Sequence, residues 1–129
     1  MKKIMMLLAF ALLLVGITAC GSSGTTSQTG SSTGKTEVHT SSLAFAPASV
    51  TIEKGQSITL INDTAVLHPI ENGTWEDYTA KTFQEPGAPT VKVQLNGHDQ
   101  QTIGPFMTAG TYQLHCTIHP GMNLTVHVQ

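Results

Sequence analysis

Hydrophobic and polar residues alternate with a period of two over most of the chain beyond residue 36, which is the pattern of β-strands that bury one face. In the run Gly110 to Cys116, for example, Tyr112, Leu114 and Cys116 share one face. The predicted strands are short, and they comprise residues 37–40, 49–52, 57–62, 91–95, 101–103, 110–116 and 124–128. Because no stretch has the pattern of an amphipathic helix, the sequence predicts an all-β fold, an antiparallel β-sandwich of seven or eight strands.

The segments between these strands predict how they are connected. Glu53 to Gln56 is a turn of the type that joins antiparallel strands. Asn96-Gly97 follows the strand at residues 91–95 and predicts a hairpin with residues 101–103. Residues 71–90 have no clear period and include Gly87 and two prolines, so we expect a long loop there, with one helical turn near Glu76 to Lys81.

The first twenty residues are typical of an export signal. Lys2-Lys3 precedes an apolar run from Ile4 to Ile17, and the small residues that end at Cys20 resemble a bacterial lipobox, whose cysteine is lipidated after cleavage. A plain signal peptide and a short membrane anchor are the alternatives, although the run is shorter than the about 20 residues of a spanning helix. We therefore predict a signal peptide over residues 1–20 and a lipid anchor on Cys20. The protein would then lie outside the cytoplasm, attached to a bacterial membrane at the cell surface or in the periplasm.

Residues 21–35 contain only Gly, Ser, Thr and Gln before Lys35 and are predicted to form a flexible tether. The folded domain then spans residues 36–129, which is enough chain for one hydrophobic core. Removal of Lys2 and Lys3 leaves 6 − 2 = 4 lysines against 8 acidic residues, a formal charge of −4. Because the chain also has no arginine, no basic surface for nucleic acid is expected.

The candidate chemistry lies near the C-terminus, where Cys116, His119 and Met122 follow one another with the spacing C-x2-H-x2-M. Cys116 ends a predicted strand on its inward face, so its sulfur should point into the sandwich. Pro120 fixes one backbone angle and Gly121 frees the next, so the chain can fold back to present Met122. An inert buried cysteine is the alternative interpretation, but its spacing from His119 is that of metal ligands.

A second imidazole would complete a blue copper site, which takes two histidines, one thiolate and a distant thioether. His68 is the candidate, reaching the site from the opposite sheet. Zinc would also accept Cys and His, but Met122 is a poor ligand for zinc. With Cys20 lipidated, Cys116 is the remaining thiol, and metal coordination would protect it in an oxidising compartment.

These residues make the chain resemble the cupredoxins of the plastocyanin, amicyanin and pseudoazurin group. The matching stretches are Val50 to Asp63, His68-Pro69 and Gly110 to Met122, and the resemblance covers nearly all of residues 36–129. The length of the C-x2-H-x2-M loop is most similar to that of amicyanin. The resemblance implies a Greek-key β-sandwich and one type 1 copper ion that alternates between Cu(I) and Cu(II). It further implies His68, Cys116, His119 and Met122 as the metal ligands, and one-electron transfer as the function.

Two features depart from the family pattern. Many cupredoxins have an asparagine directly after the first ligand histidine, where it braces the ligand loop, and this chain has Pro69 there. Residues 71–90 also match the family poorly. The sequence therefore leaves open how the ligand loop is held.

The leading interpretation is a tethered carrier of single electrons between redox partners such as a cytochrome, an oxidase or a reductase. A copper storage or delivery protein is the alternative. An enzyme is not expected, because copper enzymes need more metal sites and a longer chain. We expect a monomer.

The remaining residues of interest are assigned from their positions in the sequence. His119 should lie nearest the surface, with Ile118, Pro120, Met107 and Phe106 as apolar surroundings where a partner docks. His115 should support the site or lie at the surface. His39, His98 and His127 should be solvated, and Trp75 should pack under the long loop rather than relay electrons.

Overall fold

The computed structural model describes residues 35–129, which form an all-β sandwich. The ten strands are β1 (Thr36–Thr40), β2 (Phe45–Ala46), β3 (Ser49–Ile52), β4 (Ile58–Asn62), β5 (His68–Glu76), β6 (Thr79–Thr82), β7 (Lys92–Leu95), β8 (Gln100–Ile103), β9 (Gly110–Cys116) and β10 (Asn123–Val128). The predicted all-β sandwich is confirmed, with more strands than the seven or eight expected. Within this range no helix could cross a membrane. The predicted signal peptide, the lipid on Cys20 and the tether up to residue 34 lie outside the described residues.

The strands divide into two sheets that combine parallel and antiparallel pairs. The smaller sheet has the order β2-β1-β4-β8, and its β1 and β4 run parallel. The larger sheet has the order β3-β10-β9-β5-β6, with β7 also paired to β5, and its β3 and β10 run parallel. Strands β9 and β5, which carry the predicted ligands Cys116 and His68, are therefore neighbours within one sheet.

Two segments expected to join paired strands instead carry the chain from one sheet to the other. The Glu53–Gln56 turn leads from β3 in the larger sheet to β4 in the smaller one. The turn after Leu95, which closes with the Asp99 amide donating to the Asn96 carbonyl at 3.2 Å, leads from β7 to β8 in the same way. Both hairpin predictions are wrong because β3 pairs with β10 and β8 pairs with β4, both of them distant in sequence.

The core lies between the sheets and is filled by the inward residues of both. Alternation along each strand delivers these side chains to one face. The largest that are fully buried are Tyr112, Phe106, Ile58, Leu60, Ile70, Leu95, Leu114, Met122, Leu124, His68, His115 and Val38. Two histidines and one methionine in this list belong to the stretches singled out for their chemistry, so the candidate site adjoins the core.

Residues 73–82 form a β-hairpin, so the loop with a helical turn that was expected there is wrong. Residues 83–90, the rest of the expected loop, contain neither helix nor strand. In β5, pairing with β9 ends at Asn72 and pairing with β6 begins at Gly73, whose φ is +130°. The turn between β5 and β6 is made by Asp77 and Tyr78, with φ of 46° and 61°, the left-handed conformations that a two-residue type I′ hairpin requires. Neither residue is the glycine that usually marks such a turn, which explains why the sequence did not predict it.

Candidate metal centre

Cys116 ends β9 with its side chain fully buried. As predicted, it lies on the same face as Tyr112 and Leu114, so the sulfur points into the sandwich. Burial raises the pKa of the Cys116 thiol, and the amides of Ile118 and His119 partly offset that effect. Since metals bind the thiolate, metal binding at this residue requires loss of the thiol proton.

His68 is the first residue of β5 and is also fully buried. The expectation that it reaches the site from the opposite sheet is wrong, because β5 pairs directly with β9 and Ile70 lies opposite Cys116. His68 Nδ1 is 3.7 Å from Cys116 Sγ. Burial lowers the pKa of His68, repulsion from His119 lowers it further, and the Ser41 carbonyl acts in the opposite direction. The neutral imidazole, which is the form that binds metals, is thus favoured.

His119 completes a triangle of donor atoms. Its Nδ1 is 3.2 Å from Cys116 Sγ and 3.1 Å from His68 Nδ1. Nitrogen and sulfur ligands bind transition-metal ions at about 2.0–2.3 Å, so two donor atoms that share one ion lie about 3–4 Å apart. The three distances fall in that range, and the donor set therefore fits a metal ion. Within residues 35–129, no other group of three His, Cys, Asp or Glu donors comes together in this way.

The sequence profile of the copper binding proteins of the plastocyanin/azurin family matches residues 32–129. The chain belongs to this family. A relative, the plastocyanin of Ulva prolifera, is 31% identical over 90 residues, which cover 68% of this chain and 89% of the relative. The plastocyanin of Scenedesmus fuscus is 30% identical over 89 residues, which cover 67% and 88% of the two chains. The metal of this cupredoxin is therefore copper, as the donor set predicts.

Solved structures of amicyanin share the fold of this cupredoxin. A reduced Cu(I) form of an amicyanin mutant at pH 4 superposes with a TM-score of 0.57 at 23% identity, covering 74% of this chain and 83% of amicyanin. A second amicyanin mutant, in the oxidised state, gives a TM-score of 0.56 at 21% identity, covering 74% and 82%. The amicyanin structures, like the plastocyanin sequences, support the predicted cupredoxin-like sandwich.

Met122 closes the ligand loop of this cupredoxin, and only 1% of its surface is exposed. The Met122 amide donates to the His119 carbonyl at 3.1 Å, and the Cys116 amide donates to the Met122 carbonyl at 3.0 Å. These two bonds fold the chain back on itself between Cys116 and Met122, as the Pro120-Gly121 pair predicts; Gly121 has a φ of +78°. The assignment of the Met122 thioether as the fourth ligand stays a prediction.

The backbone supplies a brace where many cupredoxins use an asparagine side chain. The amide of Thr117, directly after Cys116, donates to the carbonyl of Pro69, directly after His68, at 2.9 Å. A proline at position 69 can make this bond because it uses the carbonyl and not the missing N–H. The ligand loop is thus tied to β5 without the asparagine.

The sequence predicted no role for Asn62, but its side chain forms the hydrogen bonds that hold the segment leading to His68. Its buried side-chain amide donates to the carbonyls of Val66 at 2.6 Å and Asn96 at 2.9 Å, while its Oδ1 accepts the Thr64 amide at 3.0 Å. Asparagine commonly bonds to its own backbone two residues on, so the Asn62-Asp63-Thr64 stretch carried a local signal. The long-range hydrogen bond to the Asn96 carbonyl had no signal in the local sequence.

The other histidines lie away from the donor triangle. His115 is fully buried although its position on β9 faces outward, because the β5–β6 hairpin covers it. Burial lowers the pKa of His115, and the neighbouring Glu71 and Gly73 carbonyl act in the opposite direction. His39 bonds to the exposed Asp63 carboxylate at 2.8 Å, and His98 and His127 are exposed.

Three of the four apolar residues expected to surround His119 are exposed. Ile118 and Met107 are 53% and 65% exposed, and Pro120 is exposed as well. Phe106 is fully buried against Tyr112, with ring centroids 6.0 Å apart, and cannot contact a partner. The prediction for Phe106 is therefore wrong, because its ring fills the core instead.

Proposed function

We propose that this cupredoxin carries single electrons between redox partners outside the cytoplasm, through a type 1 copper site formed by His68, Cys116, His119 and Met122. It would act as a carrier and not as an enzyme. The convergence of three donor atoms, separated by 3.1, 3.2 and 3.7 Å, is the observation that carries the proposal.

The chemistry of the donor set supports one-electron transfer. Copper bound by two imidazoles and one thiolate, with a weak axial thioether, is the arrangement of electron-transfer sites. The donor atoms of His68, Cys116 and His119 already lie 3.1 to 3.7 Å apart, and backbone hydrogen bonds close the loop that carries His119. Buried His68 and Cys116 can move little, so a change in copper charge should require little rearrangement of these side chains.

The position of His119 supports exchange with a partner. His68 and Cys116 are fully buried, whereas His119 is partly exposed and stands in the sequence between Ile118 and Pro120, which are both exposed. An electron leaving the site would cross the least protein through the His119 ring. No Asp, Glu, Lys or Arg lies between Cys116 and Met122 in the sequence, which favours docking by contact between apolar surfaces.

The visible spectrum of the copper-loaded, oxidised chain tests the proposal. We expect an intense red-region absorption from charge transfer between the Cys116 thiolate and copper. Cys116→Ser should abolish it, and His127→Ala, which changes an exposed histidine elsewhere on β10, should leave it intact. Met122→Leu should keep the absorption and raise the reduction potential, because the axial ligand tunes that potential. A native chain without the absorption would overturn the proposal.

Reduction in the presence of a competing Cu(I) chelator separates a carrier from a copper delivery protein. A carrier should keep its copper through repeated cycles of oxidation and reduction. Rapid transfer of Cu(I) to the chelator would instead favour delivery or storage as the function.

The proposed location rests on residues 1–20 and on the tether that follows. We propose that lipid on Cys20 anchors the protein to a bacterial membrane. Labelling with a radioactive fatty acid should mark the native protein, and Cys20→Ser should lose the label and release the protein from the membrane fraction. Labelling of the Cys20→Ser variant would exclude Cys20 as the anchor.

A further inference from the structure

Trp75 is hydrogen-bonded to a proposed copper ligand. Its indole Nε1 donates to the main-chain carbonyl of Cys116 at 2.7 Å. In regular pairing between β9 and β10, the Cys116 carbonyl would accept a hydrogen bond from the Met122 amide. That amide donates to the His119 carbonyl instead. The indole therefore satisfies an acceptor that the tight ligand loop leaves without its β-sheet partner.

The main chain of the same residue is bonded to the other end of the loop. The Trp75 amide donates to Asn123 Oδ1 at 2.8 Å, and Asn123 Nδ2 donates to the Trp75 carbonyl at 3.2 Å. Asn123 directly follows Met122. Through its indole and its backbone, Trp75 is thus connected to both ends of the loop that runs from Cys116 to Met122.

The β5–β6 hairpin brings Trp75 to this position. At Gly73 the main chain comes so close that an added Cβ would lie 3.0 Å from His115 Cε1, so the hairpin crosses over the outer face of β9. The Trp75 ring then stands perpendicular to the His115 ring, with centroids 6.2 Å apart. Pairing of Trp75 with Ala80 on β6 holds the crossing strand in place.

We propose that Trp75 and Asn123 form a clamp that positions the ligand loop, and that Trp75 is a positioning residue for the copper site. This inference rests on the proposed function, since it concerns the ligands Cys116 and Met122. The alternative is that Trp75 only covers His115, as an aromatic side chain that buries apolar area. The two roles differ in whether the indole N–H and the Asn123 side chain affect the loop.

Two substitutions test the clamp against a matched control. Trp75→Phe keeps an aromatic ring over His115 and removes the N–H donor. Asn123→Ala removes the two bonds to the Trp75 backbone. Thr125→Ala is the control, because it removes a side-chain hydrogen bond to Gln113 at 3.1 Å on the same strand, two residues beyond the clamp.

The first measurement uses the metal-free chain, by hydrogen exchange of the Thr117 and Met122 amides. We expect Trp75→Phe, which removes one hydrogen bond, to speed exchange of these amides about tenfold relative to a Leu60 amide in the smaller sheet, and Asn123→Ala, which removes two, to speed it at least as much. Thr125→Ala should leave the ratio unchanged. If both clamp variants change the Thr117, Met122 and Leu60 amides by the same factor, Trp75 acts only through global stability and the clamp is refuted.

The second measurement uses the copper-loaded chain, by the rate of copper loss to a chelator and the position of the visible absorption. Both should change in Trp75→Phe and Asn123→Ala and stay at native values in Thr125→Ala. If the native chain binds no copper, the proposed function fails while the exchange experiment still decides the clamp. If native copper binding is normal and neither variant alters copper loss, the clamp fails and the proposed function stands.

Discussion

The carbonyl of Pro69 accepts the amide of Thr117 at 2.9 Å, and this bond links the residue after His68 to the residue after Cys116. The link is made entirely by main-chain atoms. Any residue at position 69 that keeps the extended backbone can therefore provide it. In this protein the brace between β5 and the ligand loop does not depend on the identity of the side chain that follows the first histidine.

Pro69→Ala should therefore leave the copper absorption unchanged. It should lower the free energy of unfolding by about 0.4–1 kcal/mol, because alanine gives the unfolded chain more conformational freedom than proline. Urea denaturation of the metal-free protein measures the loss, and the visible spectrum checks the site. A shifted absorption would show that the proline ring itself shapes the ligand loop.

Asn62→Ala should be strongly destabilising. The substitution removes the bonds to the Val66 and Asn96 carbonyls and to the Thr64 amide, and leaves buried polar groups unpaired. We expect a loss of about 2–4 kcal/mol in the free energy of unfolding, measured by chemical denaturation. Gln100→Ala, an exposed amide side chain on the adjacent strand β8, is the control and should change stability by less than about 0.5 kcal/mol. Equal effects of the two substitutions would contradict the role of Asn62.

Gly73→Ala should disrupt the β5–β6 hairpin. A Cβ at Gly73 would clash with the Lys81 carbonyl oxygen, so the main chain of β6 must move. We expect a loss of about 3 kcal/mol or more in thermal denaturation. Gly55→Ala separates this clash from backbone strain, because Gly55 also has a positive φ, of +87°, but open space around it. Its cost should be about 1–2 kcal/mol, and a cost as large as that of Gly73→Ala would mean that strain alone explains both.

Ile118→Asp should slow electron exchange without altering the copper absorption. Ile118 is 53% exposed beside His119, so a carboxylate there would hinder apolar contact and repel a second copy of this acidic protein. Electron self-exchange between oxidised and reduced protein, measured by NMR line broadening, needs no partner and should slow by about tenfold or more. Phe83→Asp, at an exposed residue after β6, is the control. Unchanged self-exchange in Ile118→Asp would place electron transfer at another surface.

Asp99 should ionise at a lower pH than an ordinary aspartate. Hydrogen bonds from the Gln101 side chain and the Gln100 amide hold the pKa of the Asp99 carboxyl below its usual value. Since the folded-state pKa is depressed, the stabilisation is present above the unfolded pKa and is lost as the pH falls through the folded value. An NMR titration of the Asp99 carboxyl should show the lowered midpoint, and Gln101→Ala should move it upward. An Asp99 midpoint that is unchanged in Gln101→Ala would show that the Gln101 hydrogen bond does not lower this pKa.

The return of the chain between Cys116 and Met122 was predictable because its signals are local. Cys116, His119 and Met122 are close in sequence, and the Pro-Gly pair between them permits the return of the chain. The alternation along β9 also correctly placed Cys116 on the buried face. His68, 48 residues away from Cys116, was identified by the ligand chemistry and not by any local pattern.

The connections between the sheets were not predictable in the same way. A Lys54-Gly55 turn has the same local chemistry whether the next strand pairs with its predecessor or crosses to the other sheet. The outcome depends on β10, which lies far beyond this turn in the chain and takes β3 as a parallel partner. His68 was assigned to the wrong sheet for the same reason.

The hydrogen bonds of Trp75 to the Cys116–Met122 segment and of Asn62 to the segment before His68 were not predicted, because some of their partners are remote in sequence. Trp75 bonds to a residue 41 positions away, and Asn62 to one 34 positions away. A hairpin turn formed by Asp77 and Tyr78 also lacks the usual glycine signal. Only the assembled sheets bring these groups together.

The contact between Trp75 and Cys116 has an optical consequence, because Trp75 is the single tryptophan of the sequence. All indole emission from the chain originates beside the ligand loop. Loading of copper, withdrawal of the ion and opening of the hairpin should each change the intensity or wavelength of that emission. The native protein therefore contains a fluorescent probe at its proposed metal site, and no label needs to be attached.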